Sequence, residues 1–325
     1  MSGVVLDVRD AAVHFRSRSS FLRKAAPPLK AVDGVSLAIA PGETLGLVGE
    51  SGCGKSTLAN AILGLVPLTG GRIEVAGRAV DSADRDSLSA IRSDAQMVFQ
   101  DPALSLNPRL SIGAAIGEPL LVRGLATRTA LRDRVAALLK AVGLEADHAS
   151  RFPHAFSGGQ RQRIVIARAL ALQPKLVICD EPVSALDVSV RAQILNLLVD
   201  LQRERGMSYL FVSHDLSVVR HIADRVAVMY LGRIVETASM PVLFGKPRHP
   251  YTQALLAAAP EPDPVRQRAK PHRVLDGELP SPANLPPGCA FSSRCPLASD
   301  LCHSERPKLA ARPDGASVAC HHAEE

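Results

Sequence analysis

The run Gly49-Glu50-Ser51-Gly52-Cys53-Gly54-Lys55-Ser56-Thr57 has the spacing G-x-x-x-x-G-K-[ST] of a phosphate-gripping loop. Its glycines let the backbone curl until successive amides point at one oxyanion. Lys55 has the reach for the β- and γ-phosphates of a nucleotide, and the Ser56 hydroxyl can join the shell of a Mg²⁺ ion. Asp180-Glu181 follows an apolar run, so Asp180 can hold that ion through its water shell and Glu181 can polarise a water for attack on the γ-phosphate. Gln100 closes the run Gln96-Met97-Val98-Phe99 and can reach the metal or the attacking water. His214 closes Tyr209 to Ser213 and can hydrogen-bond the γ-phosphate. Ser157-Gly158-Gly159-Gln160-Arg161 is a second anion-gripping pattern, with a capping serine and two glycines at a helix start. Two phosphate-gripping helix ends in one chain suggest two subunits facing each other across nucleotide.

These residues need strands that end at one edge. Leu45 to Val48 reads as a short buried strand running into the loop, and Leu58, Ile62 and Leu65 recur at helical spacing after it. In a parallel sheet ligands bind beyond the carboxyl ends of the strands, and Leu176-Val177-Ile178-Cys179 has the continuous apolar character of such a strand. Val4 to Val8, Ala12 to Phe15, Ala31 to Ile39 and Arg72 to Val75 read as further strands, with Pro41-Gly42 and Gly70-Gly71 as turns. The segment from about 101 to 172 is helical in pattern, through Leu131, Val135, Leu138, Leu139 and Ile164 to Leu172, and reads as a helical insertion in an α/β core. Val190, Ile194, Leu197, Leu198 and Leu201 mark an amphipathic helix. Leu231-Gly232-Arg233 predicts a hairpin. Arg16 to Lys30 is basic and turn-rich and reads as an exposed loop. Past about Leu243 prolines dominate, among them Pro247, Pro250, Pro260, Pro262, Pro264, Pro280, Pro282, Pro286 and Pro287, as in a linker leading to a small tail module.

Composition narrows the class. With 325 residues there is room for one large domain and an appendage, and the core must be aliphatic, since aromatics are only 3% and Trp is absent. A net charge of +6 is mild for this length, and no aromatic-basic alternation supports base stacking, so nucleic acid is not expected as a partner. No uncharged apolar run approaches the ~20 residues of a membrane span. The first ten residues lack the pattern of a signal peptide, which predicts a cytosolic chain whose six cysteines are not a disulfide framework.

Taken together, the motifs resemble the ATP-binding subunit of ATP-binding-cassette (ABC) transporters over nearly the whole chain. The resemblance implies an α/β P-loop ATPase core with an antiparallel β subdomain and an inserted helical subdomain, over residues 1–245. It makes Gly49 to Thr57 the Walker A loop, Gln100 the Q-loop glutamine, Ser157 to Gln160 the signature, Asp180-Glu181 the Walker B end, Ser184-Ala185-Leu186-Asp187 the D-loop and His214 the H-loop. Phe15 matches the aromatic that stacks on adenine. Phe156 stands where the common signature has Leu, and Val183 where Thr is commoner. The stretch Gln100-Asp101-Pro102-Ala103-Leu104-Ser105-Leu106-Asn107-Pro108-Arg109, with His249-Pro250-Tyr251-Thr252 and Gly277-Glu278-Leu279-Pro280-Ser281-Pro282, is similar to the dipeptide/oligopeptide importer branch. Nickel importers share much of this pattern. The resemblance implies ATP and Mg²⁺ as cofactors and, as partners, a second ATPase subunit, two membrane permeases and an extracytoplasmic binding protein. It implies a peripheral place on the cytoplasmic face of the membrane. A soluble ABC ATPase is disfavoured by the single cassette, and a catalytically silent partner by the intact Asp180-Glu181 pair.

The tail holds Cys289, Cys295, Cys302 and Cys320 between 246 and 325. A small Pro-broken module lacks core and needs a staple. Four thiolates suit Zn²⁺ or an iron–sulfur cluster, although the spacing is wider than in zinc fingers. His303, His321 and His322 are substitute ligands. The importer branch carries a similar tail, which implies a [4Fe–4S] cluster in at least some members, so the expectation is a separate Cys-rich module stabilised by a cluster, with zinc as the alternative and loss of the metal as a third reading.

Overall fold

The computed structural model describes residues 3–16, 27–259, 268, 280–281 and 283–323. The expected basic loop falls largely, and the Pro260 to Pro264 linker and most of Gly277 to Pro282 also, outside them. In chain order the elements are β1 (Leu6–Phe15), β2 (Leu29–Ile39), β3 (Thr44–Val48), α1 (Lys55–Ile62), β4 (Gly70–Val75), β5 (Arg78–Ala79), α2 (Arg85–Asp94), β6 (Ala95–Val98), α3 (Pro102–Ser105), α4 (Ile112–Val122), α5 (Arg128–Ala141), α6 (Gly158–Leu170), β7 (Leu176–Asp180), α7 (Val188–Arg205), β8 (Ser208–Ser213), α8 (Leu216–Ile222), β9 (Arg225–Tyr230), β10 (Arg233–Ser239), α9 (Met240–Gly245), α10 (Pro250–Ala258), α11 (Asp300–Ser304), β11 (Ala310–Ala311) and β12 (Ser317–Val318). None of the described helices is long and apolar enough to cross a membrane. The residues form two compact units: Met1–Leu6, Ile39–Glu43 and Val75–Phe211 in the first, and Asp7–Ala38, Thr44–Glu74 and Val212–Glu325 in the second.

In the first unit β6 and β7 pair in parallel, from Ala95 opposite Leu176 to Val98 opposite Cys179. Every residue of β7 is buried, as its unbroken apolar run requires. The helices between these strands pack on each other, α4 against α5 and α6, and α3 against α6. Each start is written in the sequence: Ser111, Thr127 and Ser157 cap α4, α5 and α6 through their side-chain oxygens. α7 buries Ile194, Leu195, Leu198 and Leu201, so its apolar stripe passes through Leu195 rather than the expected Leu197.

In the second unit β3 runs parallel to β9, β9 antiparallel to β10, and β10 antiparallel to β12. The β9–β10 connection is the expected hairpin, and Leu231 (φ 43°) and Gly232 (φ 81°) both take the left-handed backbone of a type I′ turn. A further sheet in this unit has the order β2-β1-β4. Two expectations give way here. The two N-terminal runs form one strand, β1, with Asp10 at φ 47° where they join. Gly70-Gly71 opens β4 instead of forming a free turn. Gly71 is needed because a Cβ there would lie 2.2 Å from the Asp10 carbonyl oxygen, with φ already at 73°. α1 ends at Ile62, so Leu65 lies beyond it and is exposed.

The tail is not a separate module. β12 adds to β10 through Glu236 opposite Val318 and Thr237 opposite Ser317. Buried Glu236 accepts from the amides of Arg248 and His249, both at 2.9 Å, and fixes the entry to α10. Arg248 grips Asp314 through Nε at 3.1 Å and through a second, shorter bond. His249 caps α10 by accepting from the Tyr251 amide and is fully enclosed, so burial depresses its pKa from 6.5 to about 3. Its unfolded form therefore takes a proton below pH 6.5 that the folded form refuses, and this contribution to stability falls as pH drops from 6.5 towards 3. The limiting slope is ~1.4 kcal/mol per pH unit. His249→Asn keeps a capping acceptor without the titration. Thermal unfolding from pH 7.5 to 5 should show the wild type losing stability relative to the variant below about pH 6.5. Parallel profiles would contradict the assignment.

Candidate active site

The second unit carries the phosphate-gripping loop. β3 delivers it and α1 leaves it, with Gly54 (φ 110°) at the N-cap position and no side chain capping the first turn. A helix start of this kind favours a negative group in the loop. Gly54 is obligatory, since a Cβ would stand 2.0 Å from the Ala31 carbonyl oxygen. Gly49 is equally tight, 2.1 Å from the Met229 carbonyl oxygen. Lys55 is only 5% exposed. Its Nζ donates to the carbonyls of Gly49 at 2.7 Å and Glu50 at 3.0 Å. Among the described residues it pairs with no carboxylate. A buried ammonium without an anion is costly, so the loop is built around a negative group that the ligand must bring. Ser51, Gly52 and Ser56 are exposed, Thr57 is half-buried, and Cys53 is enclosed, its thiol pushed up by burial first of all, against the pull of Lys55. The loop fits a nucleotide phosphate chain. Exposed His214 follows β8, and exposed Phe15 ends β1.

The first unit carries the acidic pair and both glutamine-containing motifs. Asp180 ends β7 and is 7% exposed. Glu181 follows with φ 47°, a strained backbone for a residue with a Cβ. Ser184 holds that turn, donating to the Glu181 carbonyl through its amide at 3.3 Å and its hydroxyl at 3.0 Å. Gln100 Nε2 donates to Glu181 Oε2 at 3.1 Å, which joins two residues separated by 81 positions. The Gln100 and Glu181 side chains thus meet.

Ser157 caps α6 as expected, and the structure adds a reciprocal bond that spacing alone encodes: Gln160 Oε1 accepts from the Ser157 amide at 3.0 Å while the Gln160 amide donates to Ser157 Oγ at 3.3 Å. Gly158 is exposed. Gly159 serves packing as well as amide access, because a Cβ would fall 2.4 Å from Val190 Cγ1. Asp187 caps α7 by accepting from the Val190 amide at 3.0 Å. That amide, with the Ser189 hydroxyl, holds the Asp187 carboxyl below its usual range. Phe156 is buried, edge-on to His148 at 5.3 Å.

The tail cysteines do not form the expected cluster. Among the described residues no group of three or more His, Cys, Asp or Glu is placed to hold a metal ion, and the iron–sulfur reading, with zinc as its alternative, is withdrawn. All four cysteines are free. Burial pushes the thiols of Cys289 and Cys295 up and that of Cys320 up to about 11. Cys302 is buried beside the Ser299 hydroxyl, which also meets His322. His321 instead meets the Glu305 carbonyl. The tail has the apolar core and strand pairing that the metal was expected to replace: Phe291 is 1% exposed and packs on Tyr230, Tyr251 and His249. Sequence reasoning missed that Tyr251 and Arg294 both reach Glu50 of the phosphate loop, across 201 and 244 positions.

Residues 32–184 match the family model described as ABC transporter, and residues 235–302 match that of the oligopeptide/dipeptide transporter C-terminal region. The chain is 53% identical over 321 residues to the probable peptide ABC transporter ATP-binding protein y4tS of Sinorhizobium fredii, covering 99% of this chain and 90% of that protein. It is 53% identical over 309 residues to the oligopeptide transport ATP-binding protein OppF of Salmonella typhimurium, covering 94% of this chain and 92% of that one. Among solved structures it resembles a dimeric post-hydrolysis state of the ATP-binding cassette MJ0796 bound to ADP and Pi. The TM-score is 0.63 at 31% identity, over 72% of this chain and 98% of that one.

Proposed function

Because the chain belongs to the ABC transporter ATP-binding family, in its oligopeptide/dipeptide branch, we propose that it is the ATP-hydrolysing subunit that powers peptide import. The buried Lys55 ammonium, held by two carbonyls and paired with no carboxylate among the described residues, carries the reading, because it calls for a polyphosphate. ATP binds along Gly49 to Thr57, with its adenine against Phe15. Ser56, Gln100 and Asp180 would hold Mg²⁺, which would neutralise phosphate charge. Glu181 orients or deprotonates the attacking water, with Gln100 and His214 sensing the γ-phosphate. The signature Ser157 to Gln160, with Asp187, grips ATP bound to a partner ATPase, so that two cassettes close head to tail.

Residues 1–245 form the nucleotide-binding domain in this account, with the helical insertion at about 101–172, and 246–325 form the branch-specific extension. The surface at Gln100 to Arg109, where Leu104 is 87% exposed, receives a membrane permease. The chain acts at the cytoplasmic face of the membrane, with two permeases, a paralogous ATPase and an extracytoplasmic peptide-binding protein.

Ser157→Arg tests the pairing. The variant loses one helix cap, worth about 1 kcal/mol, and stays folded. It should bind ATP normally as an isolated chain and block hydrolysis at the partner's site in the assembled complex. Folded variant that no longer binds ATP alone would place the signature in cis and overturn the head-to-tail arrangement.

A further inference from the structure

We propose that the C-terminal extension sets the phosphate loop, with Arg294 as a positioning residue that acts on nucleotide through Glu50. This rests on the reading of Gly49 to Thr57 as the ATP loop.

Every polar group of Glu50 is engaged. Its amide donates to the Tyr251 hydroxyl at 2.8 Å. Its carbonyl accepts from Lys55 Nζ at 3.0 Å and from the Cys53 amide at 3.3 Å. Its carboxylate is gripped at both oxygens by Arg294, Nη1 to Oε2 at 2.9 Å and Nη2 to Oε1 at 3.1 Å. The peptide that orients the Lys55 ammonium is therefore fixed from the extension on two sides. Were the Glu50 carboxylate released, only the Tyr251 and Cys53 bonds would restrain this residue, and its carbonyl would aim Lys55 less tightly.

The grip is pre-organised. The Arg294 side chain is 7% exposed and that of Glu50 26%, so water screens the pair poorly. Glu50 in turn holds the guanidinium more basic than usual. Arg294 ends the short turn Ser292–Arg294, directly after Phe291. Phe291 is anchored between Tyr230 at 5.3 Å and Tyr251 at 5.5 Å. One aromatic cluster thus positions both residues that hold Glu50. A planar fork on a carboxylate fixes direction as well as charge, which an ammonium in the same place does not.

The test uses the full chain. A fluorescent ATP analogue is titrated against wild type, Arg294→Met, Arg294→Lys, Glu50→Gln, the Arg294→Met/Glu50→Gln double variant and Lys55→Ala. Steady-state hydrolysis is measured in the assembled complex, and thermal unfolding is followed in parallel. Arg294→Met should weaken nucleotide binding and raise the ATP KM about tenfold, a change of about 1.4 kcal/mol, with kcat within about threefold. Glu50→Gln should do the same, and the double variant should be no weaker than either single one. Arg294→Lys should recover only part of the affinity. If Arg294→Met fails to fold, the near-isosteric Glu50→Gln carries the test. Wild-type affinity and KM in a folded Glu50→Gln or Arg294→Met variant, with only a lowered Tm, would reduce the contact to scaffolding and overturn the proposal. Undiminished binding by Lys55→Ala would instead overturn the underlying reading of the loop.

Discussion

Glu181→Gln should leave ATP bound and stop its hydrolysis, with turnover in the assembled complex falling by about three orders of magnitude, within the range attributed to a positioned general base. The substitution is nearly isosteric. The strained backbone at φ 47° belongs to the turn, which Ser184 holds through the Glu181 carbonyl, so the variant keeps the fold. What it loses is the carboxylate oxygen that Gln100 addresses at 3.1 Å and that can accept a proton from water. Nucleotide should be retained, and the paired cassettes should accumulate closed. Phosphate release measured beside nucleotide retention separates the two effects, and hydrolysis within tenfold of wild type would remove Glu181 from its role.

Lys55→Ala should have the complementary outcome, loss of nucleotide itself. Removing one partner of a buried charge pair costs about 2–5 kcal/mol, so affinity should fall by about 30-fold to several thousandfold. The alanine also takes the ammonium donor from the Gly49 and Glu50 carbonyls, which loosens the loop further. Equilibrium binding of a fluorescent ATP analogue reads this directly. Near-wild-type affinity would mean that the buried ammonium serves the fold and not the phosphate.

The two variants rest on features that were legible in the sequence for a common reason: each is local. A glycine loop between an apolar strand and a helix, a serine three residues ahead of a glutamine, and a glycine in the two-residue link between alternating runs all encode their geometry within a few positions. The Ser157 cap and the Leu231-Gly232 turn follow from such spacing. Distant partners were mostly illegible, the exception being Gln100 and Glu181, which two strand ends bring together across 81 positions. Gly70-Gly71 looks like a turn because nothing nearby announces that Gly71 must pass the backbone of Asp10. The tail looked coreless because its prolines and cysteines are counted along the chain, while its stability comes from β12 on β10, Phe291 among aromatics, and Arg248 on Asp314. Four clustered thiols then invited a metal that their placement does not support. Arg294 and Glu50, 244 positions apart, carry no pairing signal that one sequence can display.

The central claim is that this chain converts ATP into peptide movement across a membrane. The most direct measurement reconstitutes it in vesicles with its paralogous ATPase and two permeases, with ATP enclosed on the cytoplasmic side and peptide-loaded binding protein outside. Labelled di- to oligopeptides should accumulate inside only with ATP, and accumulation should vanish with Lys55→Ala. ATP hydrolysis that runs normally while no peptide of any length enters, or while nickel enters instead, would contradict the account.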